Sequence, residues 1–325
     1  MKKVLGLIMV LLVLSACGRG REEVDTSKLR VGIVLGTGGL GDKSFNDSAY
    51  AGLLRARDEL GAEFKYVEPA NVSEFDQFLD DYASAGYDLV VGVGFDMEDS
   101  LRKTAQNYPG VNFVIVDAVV EEENVTSIVF DEVEGSFIVG ALAGMMTETD
   151  KLGFIGGLDI SFINRFRDGF EAGAKHVNPE AEVMSLYVGG VNPFNDPAKA
   201  KEQAISLNKS GADIIYAAAG GSGRGVMDAV AEGEKLYAIG VDSNQDGDVE
   251  GKVITSMLKR VDNAIYKTIE DSINGEFKGG VTVFGLEEGG VSITDLKFTR
   301  ELIGEERLQR LEGIQEGIIE GEIQP

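Results

Sequence analysis

A strand–helix rhythm that runs its course and then starts again constrains this chain more than any other feature of its sequence. From residue 29 onward, short apolar runs at 30–35, 64–67, 89–93, 113–116 and 127–130 read as strands. Stretches with helical spacing at 46–60, 74–85 and 98–107 separate the first four of them. The pattern then restarts. Helices are expected at 134–146, 164–176, 197–209 and 226–231, and strands at 152–155, 183–188, 214–217 and 237–241. Apolar runs that do not alternate with polar residues suit strands buried on both faces. The expected class is therefore α/β, with two doubly wound parallel sheets clothed by helices. Right-handed crossovers bring the strand C-termini of each sheet to one edge, where open α/β sheets bind ligands. Two such halves facing each other would enclose a cleft. A further strand at 253–258, a helix at 260–273 and a helical tail near 305–316 complete the 325 residues. The expected lobes are 29–130 plus 252–275, and 131–251 plus 276–325.

The N-terminus sets the compartment. Lys2 and Lys3 precede an apolar run at 4–14 that is too short to span a bilayer comfortably. Residues 1–16 read as a secretory signal. Leu14-Ser15-Ala16-Cys17 resembles the bacterial lipobox, and Cys17 is the only cysteine of the chain. Lipidated Cys17 would become the first mature residue, with its acyl chains, palmitate among them, at the extracytoplasmic face of the cell membrane. Residues 17–28 then form a polar tether.

The formal net charge of −25 excludes nucleic acid as a partner, because the surface repels phosphates. The single histidine, His176, stands before Asn178-Pro179, where a helix should end and where a cation suits the helix dipole. One histidine leaves little material for a His-based triad or a multi-histidine zinc site.

Two motifs suggest cofactors and fail on inspection. Gly36-Thr37-Gly38-Gly39-Leu40-Gly41 matches GxGxxG after a strand, with Glu68 at the end of the next strand. Dinucleotide binding needs the last glycine to open a helix, but Asp42-Lys43-Ser44-Phe45 intervenes. Asp242 to Asp248 resembles the opening of an EF-hand loop, yet Val253 stands where the twelfth-position acid is required. No cofactor and no metal are expected.

The segment Asp42-Lys43-Ser44-Phe45-Asn46-Asp47 places an aromatic ring, an amide and carboxylates at a strand end. Phe45 could stack on a base, with Asn46 or Asp47 pairing to ring nitrogens. Equally, Ser44 or Asn46 could cap the helix with Phe45 as a hydrophobic staple. The residues alone weigh these two readings the same.

Beyond this segment, SFND at 44–47 is followed in order by FVIVD at 113–117, EGSFIVG at 134–140 and FNDPAK at 194–199. AAGGSG at 218–223, GVDS at 240–243 and SMLK at 256–259 complete the series. In this order the chain resembles the basic membrane protein family of ABC-importer binding lipoproteins, which includes purine nucleoside receptors. The resemblance implies a type I periplasmic-binding fold with hinge strands and a monomeric receptor without catalytic activity. Its partners would be a nucleoside and an ABC permease. The resemblance further implies that Phe45 and Phe194 sandwich the base and that Asn46, Asp47 and Asp117 meet base edges. Gly221 would supply a backbone contact, and Asp242 and Lys259 would take the ribose hydroxyls. Met227 stands where a larger pocket-wall residue is expected. Two alternatives are a receptor for a sugar or other small polar ligand on the same fold, and a secreted nucleoside hydrolase. The hydrolase is disfavoured because the acids are spread over separate loops and no GxSxG occurs.

Overall fold

The computed structural model describes residues 28–325. Residues 1–27, with the signal segment, Cys17 and nearly all of the tether, lie outside the described residues. The first half runs β1 (Arg30–Val34), α1 (Phe45–Leu60), β2 (Glu63–Val67), α2 (Phe75–Ser84), β3 (Leu89–Val93), α3 (Glu98–Asn107), β4 (Asn112–Val116) and β5 (Val125–Phe130). The second runs α4 (Glu132–Met146), β6 (Lys151–Gly156), α5 (Ser161–Val177), β7 (Glu182–Tyr187), α6 (Pro197–Lys209), β8 (Ile214–Ala218), α7 (Gly223–Glu232), β9 (Tyr237–Asp242) and β10 (Val253–Lys259). The remainder is α8 (Val261–Ile273), β11 (Gly280–Phe284), β12 (Val291–Ile293), α9 (Arg300–Ile303) and α10 (Glu305–Ile319).

Two six-stranded sheets result, ordered β11-β5-β4-β3-β1-β2 and β12-β10-β9-β8-β6-β7. Every pairing is parallel except β10 with β12. The central strands β3 and β8 are buried along their whole length, as their unbroken apolar runs require. Helices α4 and α5 pack with almost no space between their backbones. A Cβ on Gly140 would stand 2.1 Å from the Phe170 carbonyl oxygen, and one on Gly173 1.9 Å from that of Phe137. Only glycine permits this approach.

The expected lobe boundaries need correction. Strand β10 does not join the first sheet. It pairs in parallel with β9, whose flank would otherwise be an open edge. The chain returns to the first lobe only after Lys259, where α8 packs on α1 so closely that a Cβ on Gly52 would lie 2.5 Å from the Asp262 carbonyl oxygen. Nor does all of 276–325 belong to the second lobe, because β11 pairs with β5 and extends the first sheet. The chain thus passes between the lobes at 130–132, at 259–261 and between β11 and β12.

Candidate functional site

The C-terminal ends of β1, β3 and β4 face those of β6, β8 and β9 across a narrow cleft with a cavity of about 80 Å³.

The connector after β1 forms one wall, and it is braced by its own side chains. Asp42 accepts backbone N–H bonds from Ser44 (2.8 Å), Asn46 (2.9 Å) and Asp47 (3.2 Å), so it caps α1. Ser44, at the formal cap position, makes no such bond. Its hydroxyl donates across the cleft to Asp242 instead. Asn46 accepts from the Gly36 N–H at 2.8 Å and donates to Asp42 at 3.0 Å. Asp47 accepts from the N–H groups of Gly41 (2.8 Å) and Lys43 (2.9 Å). Glu68, directly after β2, accepts from the Leu40 N–H at 2.8 Å. With these acceptors spent on the loop, Phe45 is left facing the cleft.

A buried charge cluster closes the inner end. Lys259 Nζ lies 2.7 Å from Asp117 Oδ2 and 3.2 Å from Glu132 Oε1, with side-chain exposures of 1%, 3% and 0% respectively. Arg165 Nη2 holds the other Glu132 oxygen at 2.8 Å. The ammonium also stands 5.0–5.6 Å from the ring centres of Phe45, Phe130, Phe162 and Phe166. These cation–π contacts, two from each lobe, partly replace its lost water. Burial opposes the lysine charge, but Asp117, Glu132 and Asp242 outweigh it and raise its pKa, so it remains an ammonium. Burial pushes Asp117 up to about 7 against the pull of Lys259, and Asp242 up to about 6 against Lys259 and Ser44. Asp117 Oδ1 is buried with no hydrogen-bond partner. A carboxylate oxygen in that state calls for a donor.

The second lobe supplies the opposite wall. Phe162 and Phe166, one turn apart on α5, face the cleft, and Phe194 arrives from the loop after β7. The Phe194 ring lies directly on Gly157, where a Cβ would come within 2.2 Å of it. Phe95 joins this group, with ring centres 5.2 Å from Phe162 and 6.3 Å from Phe194. Beside Phe95, Asp96 lines the cleft at its mouth. The protein around Asp96 pushes its carboxyl upward, to about 6, although its surface stays open to solvent.

The lobes are drawn together. Lys43 pairs with Asp248 at 2.7 Å, Gln245 donates to the Lys43 carbonyl at 2.9 Å, and Ser243 donates to that of Ser44 at 3.0 Å. Arg224 reaches the Gly41 carbonyl at 3.3 Å.

Of the residues singled out in the sequence, Phe45, Asn46, Asp117, Phe194, Asp242 and Lys259 meet in this cleft. Asp47 does not, because the loop's N–H groups take its carboxylate away from the cavity. Gly221 is one residue off the lining, which Gly220 provides. Met227 lies in the second lobe's core, 5% exposed, among Val226, Val230 and Leu236. Sequence reasoning missed Glu132, Phe162, Phe166 and Asp96. For Asp96 the available signal is an acid shortly after an apolar strand run.

Comparison with known proteins agrees with this architecture. The family model described as Bmp, ABC transporter substrate-binding protein PnrA-like, matches residues 29–324. The ABC transporter nucleoside-binding protein BmpA of Lactococcus lactis is 34% identical over 86% of this chain and 87% of its own. A lipoprotein of Pyrococcus abyssi is 34% identical over 90% of this chain and 76% of its own. The solved ABC transporter solute-binding protein of Aeropyrum pernix K1 superposes with a TM-score of 0.83 at 30% identity, covering 91% of this chain and 92% of that one. A two-lobed receptor cleft, matched over almost the whole described chain, places this protein in the Bmp family of PnrA-like ABC transporter substrate-binding proteins.

Proposed function

We propose that the chain binds nucleosides, purine nucleosides foremost, and delivers them to the permease of an ABC importer. The observation that carries this reading is the pairing of phenylalanine walls with a buried polar end rich in acceptors. Phe45 and Phe194 would flank the base, and stacking on such rings is worth about 1–3 kcal/mol per base. Asp242 and Lys259 would take the ribose hydroxyls, and so would the free oxygen of Asp117, which the resemblance set against the base edge but which lies beside Lys259. A carboxylate can accept two hydroxyl bonds, and charge-assisted bonds are the stronger kind. In the inner cluster three carboxylates face two cations, Lys259 and Arg165. That balance favours hydroxyl donors and disfavours a phosphate group. The name of the Lactococcus relative supports the ligand class.

Cys17, lipidated, would hold the receptor at the extracytoplasmic face of the membrane, as the lipoprotein relative suggests. Cys17→Ser should release the protein into the medium; retention in the membrane fraction would refute the anchor.

The test of ligand class is calorimetry on the full chain in mild detergent, refolded from denaturant to remove carried-over ligand. Adenosine, guanosine, inosine, uridine, cytidine and ribose are titrated in turn. Nucleoside binding with ribose silent supports the reading. Ribose or another sugar binding while every nucleoside is silent overturns it in favour of a sugar receptor.

A further inference from the structure

The cleft has two polar poles, and only the inner one belongs to the charge cluster. Asp117, Asp242 and Lys259 influence one another electrostatically. Asp96 stands outside that group: the surrounding protein raises its carboxyl against the pull of its own backbone N–H, and no charged neighbour contributes. Phe95, the residue before Asp96, packs against both Phe162 and Phe194, so the exposed Asp96 lines the same cleft beside this phenylalanine group. The short turn that carries Asp96 begins at Gly94, whose φ of +134° lets the carboxylate fold back to within 2.8 Å of where a Cβ would stand. Asp96 contributes an acceptor-only group to the cavity lining, and among the described residues no side chain donates to it. At the inner pole, the unpartnered and buried Asp117 Oδ1 independently marks the cavity as built for a ligand with donors.

A nucleoside has the same two-ended build, with ribose hydroxyls at one end, the hydrogen-bonding edge of the base at the other and an aromatic plane between. We infer that Asp96 contacts the base edge and selects bases that present adjacent N–H donors, as guanine does with its ring N–H and exocyclic amine. The inference rests on the nucleoside reading above and gives it a base preference. An ionised carboxylate accepts both guanine donors in parallel. Hypoxanthine offers one of them. Adenine turns a ring-nitrogen lone pair toward the carboxylate beside its amine, which is repulsive. An amide in place of Asp96 reverses this logic, because it both donates and accepts and so matches adenine.

The test titrates guanosine, inosine and adenosine into the full chain and its Asp96→Asn and Asp96→Leu variants, at about pH 8, where a carboxyl raised to about 6 is ionised. Asp96 is exposed, so thermal melts should show both variants folded. The wild type should prefer guanosine to adenosine. Asp96→Asn should lose guanosine affinity by at least about tenfold while adenosine holds or improves, and Asp96→Leu should lose guanosine without that gain. A merely structural residue would shift all three ligands together. Nucleoside binding by the wild type with all three affinities unchanged, or lowered alike, in the variants overturns the assignment of Asp96 alone. Silence of the wild type toward every nucleoside overturns both this inference and the receptor reading beneath it.

Discussion

The two sheets share one strand order, and strands in equivalent places end alike: Asp117 follows β4 and Asp242 closes β9. Both sit in the left-handed region, with φ of +72° and +63°, rare for residues other than glycine. The same turn swings both carboxylates over a strand edge into the cleft. Their partners differ. The next strand of the second sheet ends in Lys259, and that of the first ends in Phe130. Asp117 therefore meets an ammonium from the opposite lobe, while Asp242 meets the Ser44 hydroxyl. A repeated fold delivers the same geometry twice, and one lysine decides which carboxylate is held by an ion pair and which meets a neutral hydroxyl.

Breaking the asymmetry at its source should have the largest effect. Lys259→Met leaves Asp117 and Glu132 buried without their shared cation, and breaking a buried pair costs about 3–5 kcal/mol. The denaturation midpoint should fall accordingly, with ligand binding lost. The double variant Lys259→Met with Asp117→Asn should recover part of that stability, because one stranded charge is removed. A single variant as stable as the wild type would show that the lysine does not hold the lobes' charges together. Asp242→Asn comes next. It should weaken nucleoside binding by on the order of a hundredfold while leaving the fold intact, the cost of a charge-assisted bond to hydroxyls. Calorimetry giving equal affinities would move the ribose pole away from Asp242.

Much of this arrangement is legible in the sequence, for a physical reason. Strands buried on both faces must be apolar throughout, so β1, β3, β4, β8 and β9 declare themselves locally, as does the acid that ends or follows β4 and β9. What escapes is whatever depends on distant partners. Strand β11 is exposed along most of its length and β12 has three residues, so neither carries a strong pattern. Their sheets are chosen by which edge lies open, and that choice misplaced the expected lobe boundary. Asn46 and Asp47 show the same limit at the site. Their side chains look available to a ligand, but the N–H groups of Gly36, Gly41 and Lys43 claim them once the loop folds. Phe162 was missed because the expected helix began at residue 164, and α5 begins at Ser161.

Phe45 tests the walls against the poles. Phe45→Ala removes a ring that faces both the cleft and the Lys259 ammonium. Nucleoside affinity should drop at least about tenfold, the lower end of base stacking, in a protein that still melts cooperatively. The ring is only half-buried, so the loss of stability should stay well below that of Lys259→Met. Unchanged affinity in the folded variant would remove Phe45 from the base wall.

The last effect tests Asp242 without ligand. The folded protein holds the Asp242 carboxyl up at about 6, against an ordinary value of 3.8. Between those values the folded state keeps a proton that the unfolded chain has released, so this group's contribution makes stability fall as pH rises. The loss begins near pH 4 and is complete above about 6. Asp242→Asn has no such proton to lose. Its stability relative to the wild type should therefore rise across that window, by up to about 3 kcal/mol, and level off beyond it. Denaturant titrations of both proteins at several pH values read the difference directly, and contributions from carboxylates that do not interact with Asp242 cancel between them. A difference that stays flat would mean that Ser44 and Lys259 together fully offset the burial of Asp242. The two aspartates would then differ in partner alone, not in the energetic burden of carrying charge.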